Sequence, residues 1–457
     1  MLLNQDKDRF QEECGVFGIH KCNYTNLPDI FHGALTSLQH RGEESVGVTC
    51  ITEKGIITKK ALGLVSNLFS KKDVLKIQYS SAIGHVRYST CGEVSLRNAQ
   101  PIQDISIKNN IALAHNGNLL NKSDIKEKLE KEGLKFATTT DSEVILKFLI
   151  KELNNKKSLE QGVVKAIKEL KGAFSALVLT ENKLIGFRDE KGIRPLVLGK
   201  VGESYVLSSE TAAITSVGGH FIRDVRAGEI VIIDKCGLKS IETTKNKSNI
   251  CALEYIYFSR PDSFIENINV CDFRMKCGQM LYKPYEKQGD IVIGVPDSGL
   301  LAALGYSKAS NIPYEIGIIK NPYAGRNFIK STKKKREKNI NVKLNIIKPI
   351  VKNKKVIVID DSIIRGTSSK RIVYELKRAG AIEVHFKVAS PKVDFNCNLG
   401  IDIKNTKELL SSNKSLEDMR KFIGADSLEF LSLDAMKKCL KDVNICTGCF
   451  DGIYADN

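Results

Sequence analysis

The sequence predicts two domains of different class, an α+β domain in the first half and an α/β domain with a parallel sheet in the second. In the first half, short β-like runs such as GVFGIH and SVGVTCIT alternate with turns, and helical patterns lie near 122–133 and 141–153. In the second half, the apolar runs DIVIGVP and KVIVIDD each lead into a Gly/Ser turn and then a helical pattern. This alternation is typical of a parallel sheet that helices cover.

The boundary between the two patterns falls in the polar stretch KSIETTKNKSN at 239–249. We therefore place the domains at 14–240 and 241–457, with residues 1–13 as a separate N-terminal segment. A chain of 457 residues is long enough for two domains that each bury a core of their own.

The composition excludes several classes of protein. With 42% hydrophobic and 27% charged residues, the chain is neither disordered nor fibrous. No apolar run approaches the ~18–20 residues that span a membrane, and residues 1–13 lack the apolar core of a secretory signal. The 12 cysteines are too dilute for a disulfide scaffold. We expect a cytoplasmic protein with reduced thiols and no membrane partner.

The net charge of +17 is concentrated in one segment. Residues 330–355 carry 11 Lys or Arg and one acid, Glu337, which gives that segment a charge of +10. Such a run is compatible with a solvated loop, with a loop beside an anionic small-molecule site, or with a DNA-binding arm. The arm is the weakest interpretation because no aromatic residue alternates with the basic ones. We therefore expect no nucleic-acid partner.

The sharpest motif is VIVIDDSIIRGTSS at 356–369. Its β-branched residues predict a buried strand that ends at Asp360 and Asp361, and a turn then leads into a helix over 369–379. Ligands of an open α/β sheet lie outside the carboxyl ends of its strands. A helix N-terminus with Thr and Ser hydroxyls suits a phosphate monoester. The two acids suit sugar hydroxyls, or a Mg²⁺ ion shared with a pyrophosphate.

This motif resembles the phosphoribosyl-pyrophosphate (PRPP) signature of type I phosphoribosyltransferases. The resemblance implies that Asp360 and Asp361 hold the ribose hydroxyls and Mg²⁺. It assigns further contacts with PRPP to the turn and the helix start, namely Ser362, Arg365, Gly366, Thr367 and Ser368.

Two upstream segments resemble loops of the same family. VPDSG at 295–299 is similar to the pyrophosphate loop, which implies that Ser298 is a third Mg²⁺ contact. The run KNPYAGRNFI is similar to the catalytic loop that closes over PRPP, with Lys320 and Arg326 as its basic residues. Pro322 departs from the family, which has a basic residue at that position.

A candidate nucleophile opens the first domain. Cys14 precedes a strand-like run, and a lone cysteine there is more often a small buried hydrophobe than a nucleophile. Four motifs follow in order, namely HRGEES at 40–45, GHVRYST at 84–90, HNGN at 115–118 and TDSE at 140–143. With these motifs, residues 14–235 resemble the glutaminase domain of class II amidotransferases. That domain has an N-terminal nucleophile and the fold of an αββα sandwich.

The resemblance implies roles for residues of three of these motifs and for Cys14. Residues 1–13 would be a propeptide whose removal exposes the α-amine of Cys14, and an amine of pKa ~8 can act as base for its own thiol. The Asn116 side chain and the Gly117 N–H would form the oxyanion hole. Arg87 would bind the glutamine α-carboxylate and Asp141 its α-ammonium. For both charged residues, a surface ion pair is the alternative. Glu43 replaces the Gln that is usual in the HRGQES motif.

Together the two parts resemble the amidophosphoribosyltransferase family along nearly the whole chain. The family implies that ammonia from glutamine displaces pyrophosphate from PRPP, giving 5-phosphoribosylamine in the first committed step of purine synthesis. It also implies feedback inhibition by purine nucleotides and a homotetramer.

Two competing functions account for less of the sequence than this one does. A DNA-binding regulator built on a phosphoribosyltransferase fold leaves the glutaminase motifs unexplained. An amidotransferase with another acceptor, such as a sugar phosphate or aspartate, does not account for DDSIIRGTSS.

The C-terminal Cys446-Thr-Gly-Cys449 motif brings two thiols within reach of one metal centre. Its spacing alone is compatible with zinc, with an iron–sulfur cluster and with reduced buried thiols. The resemblance favours a [4Fe–4S] cluster, because one branch of the family carries such a cluster and is made with a cleaved leader. The ligand positions of that branch match Cys251, Cys397, Cys446 and Cys449, although the surroundings of Cys397 depart from the family pattern.

Overall fold

The part of the chain that the computed structural model describes comprises residues 14–20, 27–53, 55–70, 79–88, 93–104, 110–285, 289–321, 344–401 and 405–454. The predicted propeptide at 1–13, Pro322, Arg326 and the basic residues 330–343 lie outside the described residues.

The first half of the chain is built on antiparallel strands. In chain order they are β1 Gly15–Ile19, β2 Ser45–Thr52, β3 Gly55–Leu62, β4 Ser81–Arg87, β5 Ile102–Asp104, β6 Ile111–Leu119, β7 Gly172–Leu179, β8 Lys183–Arg188, β9 Val197–Val201, β10 Ser204–Ser208, β11 His220–Asp224, β12 Glu229–Asp234 and β13 Gly237–Glu242. One sheet has the order β11-β9-β10-β1-β4-β2-β3 and the other has the order β13-β12-β8-β7-β6-β5.

Helices cover the outer faces of both sheets. They are α1 Leu27–Ser37, α2 Val65–Phe69, α3 Lys122–Lys131, α4 Asp141–Asn154, α5 Leu159–Glu169 and α6 Thr211–Thr215. One apolar core joins α1, α2 and α6 to the first sheet through Phe17, and a second joins α3, α4 and α5 to the other sheet through Phe174. A third core, which includes Val16 and Leu177, lies between the two sheets. This four-layer arrangement confirms the predicted αββα sandwich.

The second half contains a parallel sheet, which confirms the predicted α/β class. The strands of this half are β14 Ile250–Cys251, β15 Phe264–Ile265, β16 Ile268–Asn269, β17 Ile291–Gly294, β18 Ile318–Lys320, β19 Leu344–Ile346, β20 Lys355–Asp360, β21 Glu383–Val388, β22 Ser427–Phe430 and β23 Ile445–Cys446, and four of them form the parallel sheet. The order β17-β20-β21-β22 is parallel throughout. The helices are α7 Val270–Leu281, α8 Leu300–Ser310, α9 Lys348–Val351, α10 Thr367–Arg378, α11 Leu410–Asn413, α12 Leu416–Ile423, α13 Leu433–Cys439 and α14 Gly448–Asp451.

The helix that follows the two adjacent acids begins earlier than predicted. α10 starts at Thr367, two residues before the predicted start at 369. Gly366 adopts a left-handed conformation with φ of +74°, which lets the chain leave the turn and enter the helix at the next residue. Within the described ranges, no helix is long and apolar enough to cross a bilayer. The domain boundary between 240 and 241 stays a prediction.

Helices α7 and α8 pack with their backbones in contact. A Cβ atom on Gly305 of α8 would lie 2.0 Å from the carbonyl oxygen of Met275, and one on Gly278 of α7 would lie 1.8 Å from that of Ala302. A glycine inside a helix normally costs stability relative to alanine. Here the close approach of the two helices reverses that preference.

We expect Gly305→Ala to lower the free energy of unfolding by about 1–3 kcal/mol, because the added methyl group forces the two helices apart. Urea denaturation followed by circular dichroism measures the change. Gly162→Ala in α5 is the matched control. Its Cβ would meet nothing nearer than 3.4 Å, so helix propensity should raise its stability by about 0.5–1 kcal/mol. A Gly305→Ala protein as stable as the parent would contradict the backbone contact.

Candidate active sites

The first candidate site is a small cavity at the junction of the two antiparallel sheets. Cys14 precedes β1, and Arg87 ends β4, which is the neighbour of β1 in the first sheet. Gly117 lies on β6 of the other sheet, and Asp141 is the first residue of α4. The cavity lining therefore contains four of the predicted residues, and its full set is Cys14, Arg87, Tyr88, Gln100, His115, Gly117, Thr140, Asp141 and Ser142.

The Cys14 thiol is buried and protonated. Its side chain is 7% exposed, and Sγ donates a hydrogen bond to the carbonyl oxygen of Tyr88 at 3.3 Å. Burial raises the pKa of Cys14 to about 12, although that hydrogen bond and the Arg87 charge act in the opposite direction. The thiol therefore needs an adjacent base before it can attack a substrate.

Asn116 and Gly117 have the features expected of oxyanion donors. Within the part of the chain that the structure describes, Nδ2 of the buried Asn116 has no hydrogen-bond partner. A buried donor without a protein partner is costly in a folded protein, so Nδ2 is available to a ligand in the adjoining cavity. Gly117 has φ of +141°, and a Cβ there would lie 2.0 Å from the carbonyl oxygen of Ala173. Only glycine fits this position.

Two buried charges of opposite sign line the cavity. Asp141 accepts a hydrogen bond from the Leu119 N–H at 3.1 Å, and it stands at the start of α4, where the helix dipole favours a carboxylate. Arg87 donates to the carbonyl oxygen of Glu93 at 3.5 Å and lies 4.0 Å from the Glu44 carboxylate. A cation and an anion that line the same cavity are complementary to the α-carboxylate and the α-ammonium of an amino acid.

Sequence reasoning missed Gln100 and left His115 without a role. Gln100 accepts from the His115 N–H at 2.7 Å and donates to the His115 carbonyl oxygen at 3.2 Å, which fixes β6 beside the cavity. Burial lowers the pKa of His115, although Asp141 opposes the shift, so its ring is neutral. His115 lies in the HNGN motif, which could have drawn attention to it. Gln100 lies in none of the quoted motifs.

The second candidate site lies at the carboxyl end of the parallel sheet. Asp361 follows β20, and its two carboxylate oxygens accept hydrogen bonds from Ser298 Oγ at 2.7 Å and from Ser362 Oγ at 2.8 Å. The Asp361 N–H donates to Asp360 Oδ1 at 3.0 Å. Ser298 follows the adjacent strand β17 and is thereby brought to Asp361. The described residues contain no group of three or more His, Cys, Asp or Glu that is arranged as it stands to hold a metal ion.

The predicted phosphate-binding residues surround the start of α10. Thr367 and Ser368 lie in its first turn, directly after Gly366. A Cβ atom added at Gly366 would lie 2.6 Å from the Leu410 side chain. The N–H groups of such a turn suit a phosphate. The Arg365 guanidinium instead pairs with Glu408, with Nε 3.0 Å from Oε2.

Of the two predicted basic residues of the catalytic loop, Lys320 lies in the described part of the chain. Lys320, at the end of β18, forms an ion pair with Asp297 of the predicted pyrophosphate loop. Arg326 lies outside the described residues.

Sequence reasoning also missed Arg274, which lies in α7. It lines a cavity with Ser298 and Asp361, and it is almost fully buried. Its charge interacts with that of Asp361, although burial lowers the pKa of Arg274 below its ordinary value. A buried arginine inside an ordinary helical pattern gives no signal in the sequence.

The four predicted cluster cysteines gather in one region. Cys251 and Cys446 are paired in the parallel register of β14 and β23. Burial raises the pKa of Cys449, and the charges of Cys251, Cys397 and Cys446 raise it further. Among the described residues none of these four forms a disulfide. Four thiols in one region are a donor set that iron–sulfur clusters and zinc bind, although in the described part of the chain no three such ligands already stand in the arrangement of a metal site.

We expect Asn116→Leu to lower kcat for glutamine hydrolysis by about 10²–10³, because one oxyanion donor is lost. The thermal midpoint should change little, because the lost Nδ2 has no protein partner to leave unpaired. The cross-strand neighbour Ser175 is the matched control. Its buried hydroxyl also has no partner within the described residues, and Ser175→Ala should hydrolyse glutamine at the parent rate. Equal losses in the two variants would assign the effect to packing.

Comparison with known proteins gives matches along the chain. The family described as glutamine amidotransferase domain matches residues 85–216. The amidophosphoribosyltransferase of Bacillus subtilis is 43% identical over 97% of this chain and 94% of its own length. That of Methanothermobacter thermautotrophicus is 38% identical over 97% of this chain and 94% of its own length.

A solved structure agrees in fold as well as in sequence. It is the glutamine PRPP amidotransferase from B. subtilis complexed with ADP and GMP. It is 41% identical, with a TM-score of 0.90, and the match covers 97% of each chain. With this identity over nearly its whole length, and with a thiol site and a two-carboxylate site in one chain, the protein belongs to the amidophosphoribosyltransferase family, which catalyses the first step of purine biosynthesis.

Proposed function

We propose that this chain hydrolyses glutamine at Cys14 and transfers the released ammonia to C1 of PRPP beside Asp360 and Asp361. The observation that carries the proposal is that one chain holds both kinds of site. One is a buried thiol between a cation and an anion, and the other is a carboxylate pair beside a helix N-terminus. The products are glutamate, 5-phosphoribosylamine and pyrophosphate.

The first half-reaction starts at the buried thiol. Removal of residues 1–13 gives Cys14 an α-amine, which takes the proton from Sγ. The thiolate attacks the side-chain carbonyl carbon of glutamine, whose ends Arg87 and Asp141 hold. Asn116 Nδ2 and the Gly117 N–H stabilise the oxyanion that forms. The α-ammonium then returns this proton to the leaving nitrogen, so that ammonia departs and a thioester remains. Water releases glutamate from the thioester.

The second half-reaction takes place at the carboxyl end of the parallel sheet. Asp360 and Asp361 hold the ribose hydroxyls, and the 5′-phosphate binds at the start of α10 through Ser362, Arg365, Gly366, Thr367 and Ser368. A Mg²⁺ ion bound by Ser298, Asp360 and Asp361 would supply charge neutralisation for the departing pyrophosphate. Lys320 and Arg326 would contribute positive charge that attracts the anionic PRPP.

Four further properties belong to the proposal. The thiols of Cys251, Cys397, Cys446 and Cys449 would hold a [4Fe–4S] cluster, which is structural or oxygen-sensing because the reaction has no redox step. The B. subtilis relative was solved with ADP and GMP, and we propose that purine nucleotides inhibit this chain as well. A homotetramer in the cytoplasm completes the proposal.

The proposed function predicts that two substitutions separate the half-reactions. Cys14→Ala should lose phosphoribosylamine synthesis from glutamine and keep synthesis from ammonia. Asp361→Asn should lose both syntheses by about 100-fold or more, because it removes a charge aligned on the reacting sugar. Pyrophosphate release with each nitrogen source measures both effects. Intact mass establishes where each preparation begins, and full glutamine-dependent activity in a chain that still carries residues 1–13 would contradict the role of the α-amine.

The cluster proposal predicts about 4 iron and about 4 sulfide per chain in anaerobically purified protein, with the brown absorption of a cluster. Cys446→Ser should lower the iron content because it removes one ligand. Cys236→Ser, which changes an exposed cysteine outside the group, should leave the iron content unchanged. Colourless protein with stoichiometric zinc would reject the assignment.

A further inference from the structure

Two buried thiols of the second half of the chain meet beside the carboxylate pair, and neither belongs to the four proposed cluster cysteines. Cys277 lies in α7 and Cys439 is the last residue of α13, and these two helices pack against each other. Both side chains belong to one apolar core, and their thiols contact each other. A lone buried cysteine is usually a small hydrophobe, whereas two free thiols in contact are candidates for a disulfide.

The two thiols differ in reactivity. Contact with Cys277 lowers the pKa of Cys439, although burial opposes the shift, and the positive charge of Lys276 lowers it further. Burial raises the pKa of Cys277 well above its ordinary value. Cys439 also keeps 5% of its surface exposed, against 1% for Cys277. Cys439 is therefore the sulfur that ionises first and that a small oxidant reaches first, and Cys277 is the protonated partner behind it.

We propose that Cys277 and Cys439 form a redox-active dithiol that hydrogen peroxide oxidises to a disulfide, and that this disulfide weakens the use of PRPP. The Cys439 thiolate attacks one oxygen of the peroxide, the O–O bond breaks, and a sulfenic acid forms while the departing hydroxide takes up a proton to become water. The Cys277 sulfur then attacks the sulfenic sulfur, and the hydroxyl group leaves as water with the Cys277 proton. Two thiols are thereby oxidised and one peroxide is reduced to two waters.

The disulfide acts on the carboxylate site through α7. Cys277 lines the cavity that contains Ser298 and Asp361. Arg274 lies one turn earlier on the same face of α7 and lines this cavity as well. A covalent bond is shorter than a contact between unbonded atoms, so its formation draws α7 and α13 together and moves that wall of the cavity. The effect on PRPP rests on the proposed function, whereas the formation of the disulfide does not.

Oxidation of anaerobically purified protein with hydrogen peroxide tests the dithiol by mass. After denaturation and alkylation, the oxidised chain should carry two alkyl groups fewer than the untreated chain, and one proteolytic peptide pair should be joined through Cys277 and Cys439. Dithiothreitol should restore both alkylation sites, because it reduces a disulfide by thiol exchange.

The same samples give the effect on catalysis. With ammonia as the nitrogen source, kcat/KM for PRPP should fall by about 10-fold on oxidation, because a displacement of about 1 Å at positioning groups can cost up to about 10²-fold. Dithiothreitol should restore it. Ammonia keeps oxidation of Cys14 out of the measurement. Reversal by dithiothreitol separates the effect from damage to a cluster, because this reagent supplies neither iron nor sulfide.

Three cysteine variants locate the response. Cys277→Ala and Cys439→Ala should each abolish the joined peptides and the reversible loss of kcat/KM, each variant being compared with its own untreated sample. Cys50→Ala is the matched control. Cys50 is also buried, but it lies in β2 of the first half and donates to the Ile57 carbonyl oxygen at 3.6 Å. Cys50→Ala should keep both the disulfide and the reversible loss.

Three results would overturn the inference. The joined peptides could be absent from the oxidised parent, the disulfide could form without changing kcat/KM for PRPP, or Cys50→Ala could abolish the response as the other two variants do. Failure of the proposed function gives a different result. A parent chain that makes no phosphoribosylamine from either nitrogen source would reject that function, and the mass measurement would still decide whether the disulfide forms.

Discussion

The buried ion pair between Arg41 and Glu254 fixes the two halves of the chain against each other. Neither side chain reaches solvent, so each charge depends on the other and on the Ser259 and Glu210 contacts. Removing one partner of such a pair costs about 3–5 kcal/mol, because the remaining charge is left buried without compensation. The antiparallel and parallel domains therefore share a buried charged contact.

The same low dielectric sets the chemistry of the glutamine cavity. Burial keeps the Cys14 thiol protonated, whereas in water a thiol of pKa ~8.5 would be partly ionised near pH 8. Burial also strengthens the attraction that Arg87 and Asp141 exert on a zwitterionic amino acid. An enclosed site thus gains substrate affinity and loses intrinsic nucleophilicity. The base that restores the nucleophile has to lie beside the sulfur, and the proposed α-amine of Cys14 itself would meet that requirement.

The sequence could predict structure and site residues that lie within one short segment. It could not predict contacts between residues that are far apart in the chain. The run VIVIDDSIIRGTSS specifies a strand, two acids and a helix start within one segment, so the place of Asp361 was predictable from local pattern. Ser298 was predictable only through resemblance, because its contact with Asp361 depends on the neighbouring strand. Arg274 and Gln100 gave no signal, since the first lies in an ordinary helical pattern and the second acts through backbone atoms of β6.

The segment beside Cys397 makes a second contact between the two halves of the chain. One of its hydrogen-bond partners lies on β6, the strand that carries Asn116. Asn118 of β6 donates to the carbonyl oxygen of Asn398 at 2.9 Å, and the buried Arg194 donates to that of Leu399 at 2.6 Å. Both carbonyls directly follow Cys397. Any ligand that orders Cys397 therefore also holds β6, two residues beyond Asn116. The segment that follows Cys397 is therefore tied by hydrogen bonds to two side chains of the first half of the chain, one of them on the strand that carries Asn116.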